Sequence, residues 1–242
     1  MWVRAFLLFL LSTLPASAEC VVLLHGLARG PASLSVLEKV LTRRGYQVVN
    51  ADYPSTSRAL PELVSYVEDA VTRCSEGPVK VVTHSMGGIL LRLWATEPGN
   101  SARIGRAVML APPAQGSEIV DTFGDQAWFA WLNGPAGLRL GTGPDGIAAQ
   151  LPPVNFPAGV IAGNESLNPV TSALIPGPDD GKVSVTSTLG AGISAHIVLP
   201  VTHTWMMNDP RVILEVLSFI ETGDFRPEMS WIAAFKELAS RH

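Results

Sequence analysis

The sequence predicts an α/β protein built on a mainly parallel β-sheet with helices over both faces. Short, continuous apolar runs such as Val21-Val22-Leu23-Leu24 suit strands buried on both sides, where neither face meets water. These runs alternate with longer amphipathic stretches, the rhythm of strand–helix–strand crossovers that join parallel neighbours. The 242 residues are 47% hydrophobic and 16% charged, which is enough apolar material for one large core and excludes disorder or a coiled coil. The 22 Gly and 19 Pro are spread along the chain rather than gathered into a linker, so residues 19–242 are expected to form a single domain.

In order, Cys20–Leu24 reads as a buried strand, Ser33–Arg44 as a helix, Tyr46–Asn50 as a strand, and Leu60–Arg73 as a helix opened by Pro61. Proline is tolerated there because the first turn of a helix has no use for its missing N–H. Val79–Thr83 is a strand, Met86–Thr96 a helix that stops before Pro98-Gly99, and Arg106–Leu110 a strand. Gly159–Ala162 and His196–Leu199 are the last two of about six strands, and Asp209–Glu221 and Glu228–Ser240 are the closing helices. Between Pro112 and Pro157, Gly, Pro and aromatic residues replace the alternation, which marks 112–157 as an insertion or cap.

The N-terminus has another logic. Arg4 precedes the apolar run Ala5–Leu11, and Ala16-Ser17-Ala18 supplies small residues in an A-x-A pattern, so residues 1–18 read as a secretory signal peptide cleaved near Ala18. The run is short of the roughly 20 residues a bilayer span needs, and there is no second candidate span. Lipidation of Cys20 would call for a small residue before it, and Glu19 stands there. The expected destination is the periplasm or the extracellular medium. In such an oxidising compartment a disulfide between the only two cysteines, Cys20 and Cys74, is the natural pairing, and two buried free thiols are the competing reading. A formal charge of −4 offers no broad attraction to nucleic acid, and none is expected as a partner.

The strongest local signal is Val79-Lys80-Val81-Val82-Thr83-His84-Ser85-Met86-Gly87-Gly88, a strand running into a helix with a serine at the sharp turn. That is the pattern of a nucleophile elbow, where flanking side chains must be short for Oγ to stand clear. The competing reading is an N-cap serine on an ordinary βα turn. At these residues the sequence resembles the α/β-hydrolase superfamily, and within it the small secreted bacterial lipases and esterases. The family pattern is G-x-S-x-G. Here Thr83 stands for the first Gly, where small lipases also use Ala.

The resemblance implies the rest of the site. Leu23-Leu24-His25-Gly26-Leu27 is similar to the family's His-Gly turn, so the backbone N–H groups of Leu27 and Met86 are the expected oxyanion donors, with His25 structural. The order Ser, acid, His selects His203, just past the last strand, as the base. His84 beside the nucleophile is expected to line the pocket, His196 lies within a strand, and His242 is terminal. In Pro178-Asp179-Asp180-Gly181-Lys182-Val183 the family's Asp-Gly-x-Val opening selects Asp180 as the acid and leaves Asp179 to the turn. The resemblance runs from Cys20 to about Glu221 without the insertion, and implies a minimal sheet lacking the antiparallel strands that open larger members.

What it implies for function is hydrolysis of a small-molecule or lipid carboxylic ester through an acyl-enzyme on Ser85. An acyltransferase or thioesterase with the same triad is the alternative, and a non-catalytic binding protein on this fold a more distant one. No Cys/His cluster has zinc spacing and no glycine loop suits a phosphate, so neither a metal nor a cofactor is expected. Trp128 and Trp131, with Phe123 and Phe129, would form an acyl pocket or mobile lid, against the reading that they only pack the insertion down; Trp205 is pocket wall or core. Met229, Trp231, Ile232, Phe235 and Leu238 could touch a lipid interface, although a helix docked on the core is favoured.

Overall fold

A computed structural model describes residues 18–74, 77–226 and 229–240. The expected leader lies outside these residues, apart from Ala18. Six strands form one sheet: β1 (Cys20–Leu24), β2 (Gln47–Asn50), β3 (Val79–His84), β4 (Ile104–Leu110), β5 (Ala158–Gly163) and β6 (Ala195–Leu199). Their spatial order is β2-β1-β3-β4-β5-β6, and every neighbouring pair is parallel. Central β1 and β3 are buried at every residue, as their continuous apolar runs require.

The helices are α1 (Ser35–Arg43), α2 (Leu60–Thr72), α3 (Met86–Trp94), α4 (Glu118–Phe123), α5 (Ala127–Leu138), α6 (Ile147–Gln150), α7 (Pro169–Ser172), α8 (Pro210–Thr222) and α9 (Trp231–Ser240). Strand pleating divides the core between two layers. Val22 and Leu24 face α2, α3 and the insertion, whereas Val21 and Leu23 face α1 and α8. Helix α9 packs against α8 through Ala234, with Met229 and Leu238 beside it, and leaves Trp231, Ile232 and Phe235 outward. The expected helix Ser33–Arg44 begins instead as a 3-10 turn at Pro31–Leu34, since Pro31 sets the first turn but removes a donor.

The sequence-irregular insertion is helical and docked. Phe129, Ala136 and Leu140 join the core beneath it. Helix α5 breaks at Gly134 (φ 65°), where a Cβ would stand 1.6 Å from the carbonyl oxygen of Thr56. Only glycine permits that approach, and Pro135 restarts the helix beyond it.

Chain order and spatial order part company between β1 and β3: the chain runs from β1 outward to β2, then back across to β3. Such a switch point splays the loops that leave the two strands and opens a crevice at their C-terminal ends. Leu27 and Ser85 stand at those ends. At the opposite end Cys20 and Cys74 form a disulfide with a Cα separation of 5.7 Å, tying the start of β1 to the chain leaving α2.

Candidate active site

Ser85 sits between the end of β3 and the start of α3 with φ 53° and ψ −123°, and its N–H donates to Leu110 O at 2.8 Å. A non-glycine residue at such angles costs on the order of 1–3 kcal/mol and persists only where its surroundings over-determine it. Here two glycines do so. A Cβ on Gly87 would lie 2.5 Å from Leu24 O, and one on Gly26 would lie 3.1 Å from the Cβ of Ser85. The end of β1 and the start of α3 therefore press together, bringing the Gly26-Leu27 turn against the elbow. Thr83, bulkier than the family's glycine, is accommodated because Gly88 leaves space: a Cβ there would be 3.2 Å from Thr83 Oγ1.

Met86 is the first residue of α3, so its N–H has no partner within the helix and lies at the positive end of the helix dipole. Leu27 lines the cavity beside Ser85. His25 is fully buried beneath this turn, its ring stacked on Tyr53 at 3.8 Å and its Nδ1–H donating to Gly26 O at 2.9 Å. The Tyr53 hydroxyl donates to His25 O. The His-Gly turn is thus held from below by side chains that do not reach the cavity.

Asp180 and His203 meet directly. Nδ1–H of His203 donates to Asp180 Oδ2 at 2.7 Å, with both side chains almost wholly buried. The other carboxylate oxygen accepts from the N–H of Lys182 at 3.0 Å and of Val183 at 2.9 Å, which fixes the carboxylate plane. Because Nδ1 carries the proton, Nε2 is left with a lone pair. Asp179 faces away: its Oδ1 accepts from Gly181 N at 2.7 Å and Ser172 Oγ at 2.8 Å, which shapes the turn and ties it to α7.

His84 is not where the sequence suggests. At 1% exposure it does not line the cavity but lies under His203, with ring centroids 4.8 Å apart. Its Nε2–H donates to His203 O at 3.0 Å, while Nδ1 is buried without a partner. Burial, reinforced by the neighbouring His203, holds its pKa well below the ordinary histidine value, so the ring is neutral. The His203 backbone is held at both ends, since its own N–H donates to Asp180 O at 2.9 Å.

Ser85, Asp180 and His203 open on one cavity of about 410 Å³. Phe123, Trp128, Phe129 and Leu132 form its apolar wall, and Trp205 lines it on the side of His203. Trp131 does not: it is 85% exposed. Helix α5 turns Trp128, Phe129, Leu132 and Asn133 toward the cavity, an arc that at about 100° per residue leaves Trp131 outside. The polar wall, made by Asn168, Thr171, Lys182, Thr202 and Thr204, was not read from the sequence. The one available signal is Leu167, an apolar residue that follows the polar run Asn164-Glu165-Ser166.

No protein-family model matches the chain, and no curated protein sequence matches it significantly. Its structure does have relatives. The mature form of the lipase BlEst2 from Bacillus licheniformis superposes with a TM-score of 0.69 over 87% of this chain and 94% of that one, at 17% identity. Phospholipase PlaB from Legionella pneumophila gives a TM-score of 0.66 at 18% identity over 93% of this chain, which spans 63% of that protein. A metagenomic carboxyl esterase gives 0.65 at 15% identity over 93% of this chain and 75% of that one. These similarities establish the α/β-hydrolase fold.

Proposed function

We propose that the protein is a serine hydrolase of carboxylic esters, working through an acyl-enzyme on Ser85. The observation that carries this reading is the buried Asp180–His203 contact opening on the same cavity as a strained serine elbow. Ser85 Oγ attacks the ester carbonyl as His203 Nε2 takes its proton, and the N–H groups of Leu27 and Met86 receive the developing oxyanion. Asp180 keeps His203 in the required tautomer and stabilises the imidazolium. Collapse breaks the ester bond, the proton passes to the leaving alcohol, and water activated by His203 repeats the sequence to release the acid. The lipase and esterase names of the structural relatives agree with this chemistry.

Residues 112–157 serve as a cap whose apolar wall takes the acyl chain. Export fits the leader-like residues 1–18 and the Cys20–Cys74 disulfide. The test is hydrolysis of p-nitrophenyl esters graded by chain length, with and without added alcohol. Turnover to free acid that is lost in Ser85→Ala supports the reading. Product formed mainly as the new ester replaces it with acyl transfer to alcohols, and undiminished turnover in Ser85→Ala overturns it.

A further inference from the structure

The lining of the catalytic cavity includes one lysine. Lys182 lines the catalytic cavity, and its backbone is pinned to Asp180 by the 3.0 Å hydrogen bond. Among the described residues its side chain forms neither a hydrogen bond nor an ion pair. The carboxylates of its own turn are engaged elsewhere, Asp180 by His203 and two backbone N–H groups, Asp179 by Gly181 and Ser172. Lys182 is exposed, yet the protein around it and the charge of Arg29 lower its proton affinity, while Asp180 raises it.

Arg29 lies two residues beyond Leu27 in the chain leaving β1; it is outside the cavity's lining, and it too has no side-chain partner among the described residues. Its charge and that of Lys182 both act on His84 beneath the nucleophile. With the carboxylates of its own turn engaged elsewhere, Lys182 favours a substrate that brings a negative charge of its own.

An ester bound with its carbonyl at Ser85 and its chain against Phe123, Trp128 and Phe129 leaves its alcohol part to the remaining lining of the cavity, which includes Lys182. We propose that Arg29 and Lys182 select esters whose polar part carries a negative charge, phosphate or carboxylate, beside the scissile bond. This rests on the ester-hydrolase reading.

The experiment compares kcat/KM on decanoylglycerol phosphate against decanoylglycerol, and on O-decanoylglycolate against its amide, all at monomeric concentrations. The two pairs separate a phosphate preference from a carboxylate one. Wild type should favour at least one anionic member by about tenfold at 0.1 M salt, falling severalfold at 1 M, where the Debye length shrinks from about 10 Å to about 3 Å. Lys182→Gln and Arg29→Gln should each lower that ratio, and together bring it near unity. Comparable rates on charged and neutral members overturn the proposal while leaving ester hydrolysis standing. A preference that survives both substitutions also overturns it. Hydrolysis of p-nitrophenyl esters but of none of the four overturns the charge preference alone; hydrolysis of neither set overturns ester hydrolysis with it.

Discussion

At the scale of single residues the site separates neighbours that a motif treats alike. Asp179 and Asp180 are adjacent carboxylates, yet only Asp180 faces His203. Asp180→Asn is therefore expected to lower turnover about 10⁴-fold, by analogy with the serine-protease triad, whereas Asp179→Asn should cost far less because its bonds go to a turn. Equal losses in kcat would show that the two are not functionally distinct. His84 supplies a second contrast. Its N–H holds the His203 carbonyl, so His84→Leu should reduce kcat roughly 10–100-fold with little change in KM, as expected when an interaction that orients the base is lost. His84→Gln, which can present an N–H at a similar point, should recover much of it. The pairing of Asp180 with His203 was readable because motif and chain order both point to it. The direction of His84 was not, since standing beside the nucleophile does not say whether the ring turns outward or beneath the base.

At the scale of elements, the strands and long helices announce themselves because each is one uninterrupted apolar run or amphipathic stretch. Helices α4 to α6 do not. Helices α4 and α6 are short, Gly134 and Pro135 interrupt α5, and the kink makes sense only with Thr56 in place against it. Without that helix phase, Trp128 and Trp131 look equivalent in the sequence. Their places in α5 give an expected difference: Trp128→Ala should flatten the preference for longer acyl chains, each buried methylene being worth about 0.8 kcal/mol, and Trp131→Ala should not. A chain-length profile indifferent to both would return the aromatic segment to a packing role. The disulfide acts at the other end of the sheet. Its closed loop spans a sequence separation of 54, for which about 2–4 kcal/mol of stabilisation is usual. Replacing both cysteines by serine should lower Tm by about 4–16 °C and leave turnover near normal at low temperature, as a melting curve and a parallel assay would show.

For the whole molecule, burial of imidazoles sets the response to acid. His84, His25 and His196 all have pKa values lowered, chiefly by burial. The unfolded chain then binds more protons than the folded one once pH falls through the ordinary histidine range near 6.5, so stability present above that range is lost below it. Glu215 opposes this, since burial raises its pKa and its protonation on acidification favours the folded state. Three groups against one predict a lower denaturant midpoint at pH 5 than at pH 7.5. A midpoint unchanged or higher at pH 5 would contradict this. The sheet order that gathers the site was legible as a fold class, because continuous apolar strands joined by helices admit few other solutions. The cavity's polar wall was not, since it forms from loops distant in the chain that only the closed sheet brings side by side.

The claim on which the rest depends is that Ser85 is a nucleophile activated by His203. The direct measurement is stoichiometric labelling of the purified protein with a serine-directed alkyl phosphonate, followed by peptide mass spectrometry. The account predicts one adduct per chain, on Ser85, absent from Ser85→Ala and formed far more slowly in His203→Ala. An adduct on another serine, or labelling of Ser85→Ala at the rate of the unmodified protein, would contradict it.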